Sequence, residues 1–325
     1  MHPKAGTILR LFRTEQGYIS GQHISRELGV SRTAVWKHIS ALRNNGYFIE
    51  AVPSRGYRLV SSPDTIDPVE VRAQLEGARI GQRLKFLKTT ASTNTDAFRL
   101  AEDGADEGTV VLADSQSGGK GRRGRIWASP AGVNLYCSVV LRPAIMPYEA
   151  PQLTFLSAVA AARAIELTTN LVPEIKWPND LLVSGKKVAG LLNEMSAETD
   201  GINFVILGIG INLNMTADQF PDELRHPATS LLLESGARVD RSRFTGTMLR
   251  ELDRLYAEFL IHGFGPVREE WQRRCNASGR QVLVSDSGTE CTGGRFIGID
   301  SDGALLLRSE DNVLHRITCG DVRVI

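Results

Sequence analysis

Apolar positions in the first sixty residues repeat at helical spacing and then at strand spacing. Ile24 and Leu28 lie four apart, and Val35, Ile39 and Leu42 fall at i, i+4 and i+7. Residues 7–12 begin a short amphipathic helix. Ser20 is placed to cap a second, Gly29-Val30 supplies a tight turn, and Ser31 is placed to cap a third running to about Asn44. The buried stripe of that third helix leaves Arg32, Thr33, Trp36, Lys37, Ser40 and Arg43 facing outward. Asn45-Gly46 ends it, and residues 47–52 and 56–60 alternate as two strands around Pro53-Ser54-Arg55-Gly56. Helices joined through a glycine turn and followed by a basic hairpin describe a winged helix-turn-helix. A small helical bundle with a solvated polar face shares this periodicity.

Residues 61–68 form a linker by composition. Beyond it, strand-like runs at 109–113, 135–141 and 204–209 alternate with helical runs at 93–103, 151–168 and 241–262. From about residue 276 short strands take over, at 280–284, 290–299, 304–308, 313–318 and 322–325, with Ser301-Asp302-Gly303 as a hairpin turn. The expected architecture is therefore an α+β multidomain chain. Its parts are a winged helix over 1–62, an α/β domain over 69–275 and a small all-β barrel over 276–325.

Charge sharpens the reading of the head. The whole chain of 325 residues carries +1. Residues 1–62 hold nine Lys/Arg against three acids, a net +6, and the remainder holds 29 against 34, a net −5. A basic head with Arg32, Thr33, Trp36, Lys37, Ser40, Arg43, Arg55 and Arg58 outward suits phosphate and base-edge contacts to DNA. The four cysteines are widely spaced, without a C-x-x-C pair or a histidine cluster, which points to reduced packing residues. The most apolar helical run, 155–165, is too short to span a bilayer. With no signal-peptide pattern at its start, the chain is expected to be cytoplasmic and off the membrane.

The stretch 117–127 concentrates the candidate chemistry. Gly118 to Arg125 packs four glycines among Lys120, Arg122, Arg123 and Arg125, and Trp127 closes it. Glycines let backbone N–H groups approach a ligand, and the cations neutralise anionic oxygens. A solvated loop or a nucleic-acid patch has the same composition; the flanking strand-like runs set this one inside a folded domain. Four further segments stand out: Ser92-Thr93-Asn94 before a helix, Lys176-Trp177-Pro178-Asn179-Asp180, Lys187 to Glu194 on a strand, and Gly208 to Asn212. Ser92 or Thr93 reads as a helix cap, and the strand glycines as points of close backbone approach. Taken together they read as a nucleotide-plus-acid site.

The order of these segments closely resembles the bifunctional biotin protein ligases that also repress biotin biosynthesis. That series is S-T-N, Q-x-x-G-[R/K]-G-R-x-G-R-x-W, K-W-P-N-D, K-x-A-G-x-L-x-E and G-x-G-I-N, and all five elements are present in order. The resemblance covers essentially the whole chain, the terminal β region matching the family's SH3-like domain. One residue departs: position 120 is Lys where well-known members have Arg.

The resemblance implies two steps, biotin and ATP giving biotinyl-AMP, then transfer of biotin to a lysine of the biotin carboxyl carrier protein of acetyl-CoA carboxylase. It implies that Ser92, Thr93, Asn94 and Gln116 hold biotin, and that Lys120, Gly121 and Arg122 clamp carboxylate and phosphate. Lys187 then approaches the activated carboxyl, Asp180 lies near Mg²⁺ and the attacking amine, and Gly119, Arg125, Trp127 and Asn212 line the nucleotide side. Arg122, Lys187 and Asp180 are the implied catalytic residues. A homodimer of the adenylate-bound form would repress at operator DNA. Three competing readings are a lipoate ligase, which shares the catalytic fold, a ligand-sensing regulator without catalysis, and a ligase whose head does not bind DNA.

Overall fold

The structure is a computed structural model that describes residues 3–15, 17–63, 65–199, 201–285 and 291–325. The head comprises α1 (Pro3–Thr14), α2 (Gly21–Leu28), α3 (Arg32–Asn44), β1 (Phe48–Val52) and β2 (Gly56–Ser61). Ser20 and Ser31 cap α2 and α3 as expected, accepting from His23 N and Ala34 N, and Gly29 closes α2 in the left-handed conformation. Ile24, Val35, Ile39 and Leu42 share a closed core with Ile8, Leu9, Tyr47 and Ile49. At the foot of the wing Ile19 and Tyr57 exchange backbone hydrogen bonds of 2.8 Å. Gly56 is forced there: its φ is +109°, and a Cβ would fall 2.1 Å from Ile19 O.

The central unit runs α4 (Pro68–Ala73), β3 (Leu84–Thr90), α5 (Thr93–Glu102), β4 (Val110–Gln116), β5 (Leu135–Leu141), α6 (Gln152–Thr169), β6 (Glu174–Lys176), β7 (Asp180–Val183), β8 (Lys186–Glu198), β9 (Gly201–Ile211), α7 (Leu231–Ser235), α8 (Arg241–His262) and α9 (Gly265–Arg274). Its seven-stranded sheet has the order β3-β4-β5-β9-β8-β7-β6. Only β3 and β4 pair in parallel; every other pairing is antiparallel. One face carries α5 over Ala97, Val111, Val140, Phe204 and Ile206. The other buries α6, whose apolar surface runs nearly all round, against α8 and α9.

The terminal strands are β10 (Gln281–Ser285), β11 (Cys291–Ile299), β12 (Leu305–Arg308), β13 (Leu314–Ile317) and β14 (Asp321–Val324), antiparallel in the order β13-β12-β11-β10-β14. Position 290 of the expected strand 290–299 lies outside the described residues. These strands share the main core rather than standing apart: Val282, Phe296, Leu305 and Leu307 belong to the same apolar cluster as Phe155 and Trp271. Gly303, in the expected hairpin turn, presses on Phe155 so closely that a Cβ would lie 2.1 Å from its ring, and its carbonyl accepts from Trp177 Nε1 at 3.1 Å. Among the described residues no helix is long and apolar enough to cross a membrane.

Candidate functional site

The five segments singled out in the sequence meet in one cleft on the α5 face of the sheet, over β7, β8 and β9. Its hydroxyl-rich end is built by the start of α5 and the end of β4. Thr93 donates from its N–H and its hydroxyl to Gln116 Oε1, at 2.8 and 3.2 Å, and Gln116 Nε2 donates to Ser129 Oγ at 3.0 Å. Ser138 Oγ, fully buried on β5, lies 2.8 Å from Thr93 Oγ1 and 2.6 Å from Asn94 Oδ1. Ser92 occupies the cap position of α5, but its hydroxyl makes no cap hydrogen bond, contrary to expectation. Asn94 is also spent internally, donating to Leu192 O at 3.1 Å and Glu194 Oε2 at 2.7 Å.

The strand glycines serve side chains. A Cβ on Gly208 would sit 2.3 Å from Asn94 Oδ1, and one on Gly210 would sit 2.7 Å from Trp127 Nε1. Gly190, directly opposite Gly210 in the β8–β9 register, also faces the Trp127 ring. The indole thus lies in a slot made by two paired glycines, with its Nε1 buried and unpartnered. Close approach was the expected reason for these glycines, and the approaching group proves to be protein.

The cationic end is held by β7, β8 and the loop. Lys187 Nζ lies 2.6 Å from Asp180 Oδ1 and 5.4 Å from the centroid of the Trp127 ring. Its backbone is pinned on both sides, donating to Pro227 O and accepting from Thr229 N. Arg122 Nη1 reaches Asn179 Oδ1 at 3.4 Å, and Asn179 is itself locked to Leu191 of β8. Burial, with the nearby Arg123 charge, pushes the Arg122 guanidinium below the ordinary arginine value. Burial likewise lowers Lys176, against the raising effect of Asp180. Seven cations line the cleft (Lys120, Arg122, Arg123, Arg125, Lys176, Lys187, Arg225) against two carboxylates, Asp180 and Asp321. That excess suits a ligand carrying several negative charges.

The loop is a short hairpin. Lys120 bridges Ile126, Gly121 N–H donates to Arg125 O at 2.7 Å, and Arg123 and Gly124 take positive φ at the tip. Several expected contributors are placed differently. Gly119 does not line the cleft; it is buried against Trp127 O and Ser129 Oγ, where a Cβ would lie 2.4 and 2.7 Å away. The Gly121 N–H is used within the loop. Arg125 pairs with Asp321 at 2.7 Å. Asn212 lines the cleft, but its amide donates to Thr229 O at 3.0 Å and accepts from Asn134. Lys120 is exposed at the mouth.

Sequence reasoning missed a second wall. Phe220, Pro221, Leu224, Arg225 and His226 lie across the cleft, and Asp321 of β14 reaches it from 196 residues beyond Arg125. It missed Ser138, Asn134 and Arg241 as well. Position in the folded chain was the only signal for these.

On the head, Arg32, Thr33, Trp36 and Lys37 stand exposed along one side of α3, Trp36 at 57 %. Ser40 is half-buried instead of outward. Arg43 donates twice to Ile49 O, at 3.0 and 2.6 Å, fastening helix to wing. Arg55 and Arg58 both lie over the Tyr18 ring, and Arg58 pairs with Glu50 at 2.8 Å.

Comparison with known proteins agrees with this geometry. Residues 86–212 match the biotin/lipoate A/B protein ligase family, residues 5–58 an HTH domain and residues 277–324 the biotin protein ligase C-terminal domain. The bifunctional ligase/repressor BirA of Bacillus spizizenii is 43% identical over 297 residues, 91% of this chain and 91% of its own length. That of Escherichia coli is 31% identical, covering 90% and 88%. A biotin protein ligase from Aquifex aeolicus, solved in complex with biotin and ATP, superposes with a TM-score of 0.64 at 29% identity over 75% of this chain and 99% of that one. The chain belongs to the family of bifunctional biotin protein ligases that carry a DNA-binding head.

Proposed function

We propose that this protein joins biotin to ATP as biotinyl-5′-AMP, transfers the biotin to a lysine of the biotin carboxyl carrier protein of acetyl-CoA carboxylase, and represses biotin synthesis genes. The observation that carries the reading is the polarity of the cleft. Fixed hydroxyl and amide groups at Ser92, Thr93 and Gln116 suit a neutral ureido ring at one end. Lys187, Arg122 and Lys176 suit a carboxylate meeting a phosphate at the other.

In the first step a biotin carboxylate oxygen attacks the α-phosphorus, and the bond to the bridging oxygen breaks to release pyrophosphate. Two anions must approach, so the work of Lys187 and Arg122 is positioning and charge stabilisation. In the second step the acceptor amine attacks the mixed anhydride carbonyl, AMP leaves, and the nitrogen loses a proton. Asp180, beside Lys187, is the carboxylate placed to steer that amine. Trp127 and the hairpin over the cleft shield the anhydride from water. On the donor set, Mg²⁺ fits as an ion carried largely by the triphosphate. Such ions use one or two carboxylates; Asp321 is taken up by Arg125 and Arg225, whereas Asp180 pairs with Lys187 beside the cationic end of the cleft. Bound there, it would offset phosphate charge.

The three working units are residues 1–62, 69–275 and 276–325, acting in the cytoplasm as a homodimer on operator DNA. Incubation with labelled biotin, ATP and a carrier domain tests the ligase reading. Label should appear on that carrier, vanish when its acceptor lysine is replaced, and fail to form from lipoate. Efficient lipoate transfer, or no transfer, would overturn it. Footprinting upstream of biotin synthesis genes tests the head.

A further inference from the structure

Three consecutive residues at the start of α8 alternate between the ligand cleft and the DNA-binding head. Val239 exchanges two hydrogen bonds with Asn214, at 2.8 and 2.9 Å, in the segment that follows β9. Asp240 turns the other way and pairs with Arg13 near the end of α1, while its second oxygen caps α8 by accepting from Arg243 N at 2.9 Å. Arg241 turns inward again. Its side chain is 0% exposed, its guanidinium is 2.9 Å from Asp114 Oδ1, and it donates to Asn134 O at 3.1 Å.

Both inward ties end just behind the cleft wall, on Asn214, which precedes the cleft-lining Met215 in the chain, and on Asn134. Asn134 is itself wholly buried; it accepts from Leu213 N at 3.0 Å and donates toward Asn212 Oδ1 and Met215 Sδ. Asn212 and Met215 line the cleft. The outward tie is equally built. Arg13 also meets Glu70, a carboxylate only 3% exposed, at 2.8 Å, and Ser62 at 2.6 Å. Tyr47 of the head donates to the same Glu70 at 2.9 Å. Arg241, Asn134 and Glu70 are buried, and the Arg13–Asp240 pair between them is partly exposed. The buried ends, fixed by several partners each, have few alternative arrangements, so a shift at one end passes through that pair rather than being absorbed locally.

We infer that the Val239–Arg241 step couples the two sites within a single chain, so that ligand pressing on Asn212 and Met215 changes how firmly the head is held, and the head in turn changes ligand retention. This rests on the ligase/repressor reading. It adds that part of the ligand's effect on DNA binding is carried inside one protomer, separately from any pairing of chains. Coupling of this kind is reciprocal: the factor by which ligand alters DNA affinity equals the factor by which DNA alters ligand affinity.

The test uses the full chain and a short duplex bearing one half-site of its footprint, so that only one head binds. In the wild type, biotin plus ATP should change half-site affinity by roughly 5-fold or more, the range typical of allosteric coupling. Asp240→Asn keeps a good capping residue but removes the charge facing Arg13. The change should shrink to about 2-fold or less, and the effect of the duplex on adenylate release should shrink by the same factor. Arg13→Met, which breaks the tie from the head side, should give the same result, and Asp240→Glu should restore part of it. Carrier biotinylation should stay at the wild-type rate in all three. An equal ligand response in wild type and Asp240→Asn, or none in the wild type, overturns the coupling. If the wild type transfers no biotin, the site reading falls with it; normal transfer with an unaltered response overturns the coupling alone.

Discussion

Asp321 Oδ2 lies 2.7 Å from Arg125 Nη2 and 2.8 Å from Arg225 Nη1, so one carboxylate of the last strand ties together the hairpin loop and the segment across the cleft. Burial raises the Asp321 carboxyl, but the Arg125 hydrogen bond and the charges of Arg125, Arg225 and Arg123 outweigh it and hold it below the usual aspartate range. The tie is therefore complete above the unfolded value of about 4 and is lost as pH falls through the lower folded value. Asp321→Asn should speed adenylate release by about 2- to 5-fold, the worth of a partly exposed ion pair. Wild-type release should accelerate below about pH 4, and the variant should lack that acid limb. Rapid-filtration measurement of release across pH checks both.

Lys187→Ala should slow adenylate formation by about 100- to 1000-fold, the usual cost of removing a preorganised charge from a transition state. Biotin affinity should change far less, because the hydroxyl end of the cleft is untouched. Single-turnover kinetics with equilibrium binding separates the two, and a pure affinity loss would assign Lys187 a binding role only.

Gly210→Ala places a methyl 2.7 Å from Trp127 Nε1. The indole must leave its slot, at a cost of about 1–3 kcal/mol for overpacking. Lower thermal stability with an altered tryptophan emission is expected, together with faster hydrolysis of the adenylate. Unchanged emission would mean that the ring is not seated on the two glycines.

Ser138→Ala removes the buried hydroxyl shared by Thr93 and Asn94. A stability loss of about 1–3 kcal/mol follows from leaving the buried Asn94 Oδ1 without that donor. The KM for biotin should rise more than that for ATP. Parallel denaturation curves and KM values read both effects.

Operator affinity should fall steeply with salt, log K by about 0.9 per neutralised phosphate per log unit. Exposed Lys37 should contribute about one unit of that slope, and Lys37→Ala should remove it. Arg43→Ala should act differently: its guanidinium holds Ile49 O, so the loss should appear first in the melting of the head. A Lys37→Ala protein with unaltered slope and sequence preference would turn α3 away from DNA.

The local order of this protein was legible along the chain. Ser31 caps α3, Val35, Ile39 and Leu42 line its buried side, and β5 and α8 begin and end where their apolar periods do. These features follow from neighbours within a few residues, where helical and strand periods fix which side chains meet. The glycine- and arginine-rich loop, Lys187 and Asp180 were legible as chemistry for a related reason: unusual residue types crowd into short runs. What only the folded chain decided was partnership across distance. No spacing announces that β9 inserts between β5 and β8, that Gly210 makes room for Trp127, or that Asp321 holds Arg125. Nor does it announce that Asn212 is spent on Thr229 and Asn134 while the Ser92 hydroxyl makes no cap bond. Such contacts join residues tens to hundreds of positions apart, and their energy depends on burial and direction, which exist only once the sheet has closed on its helices.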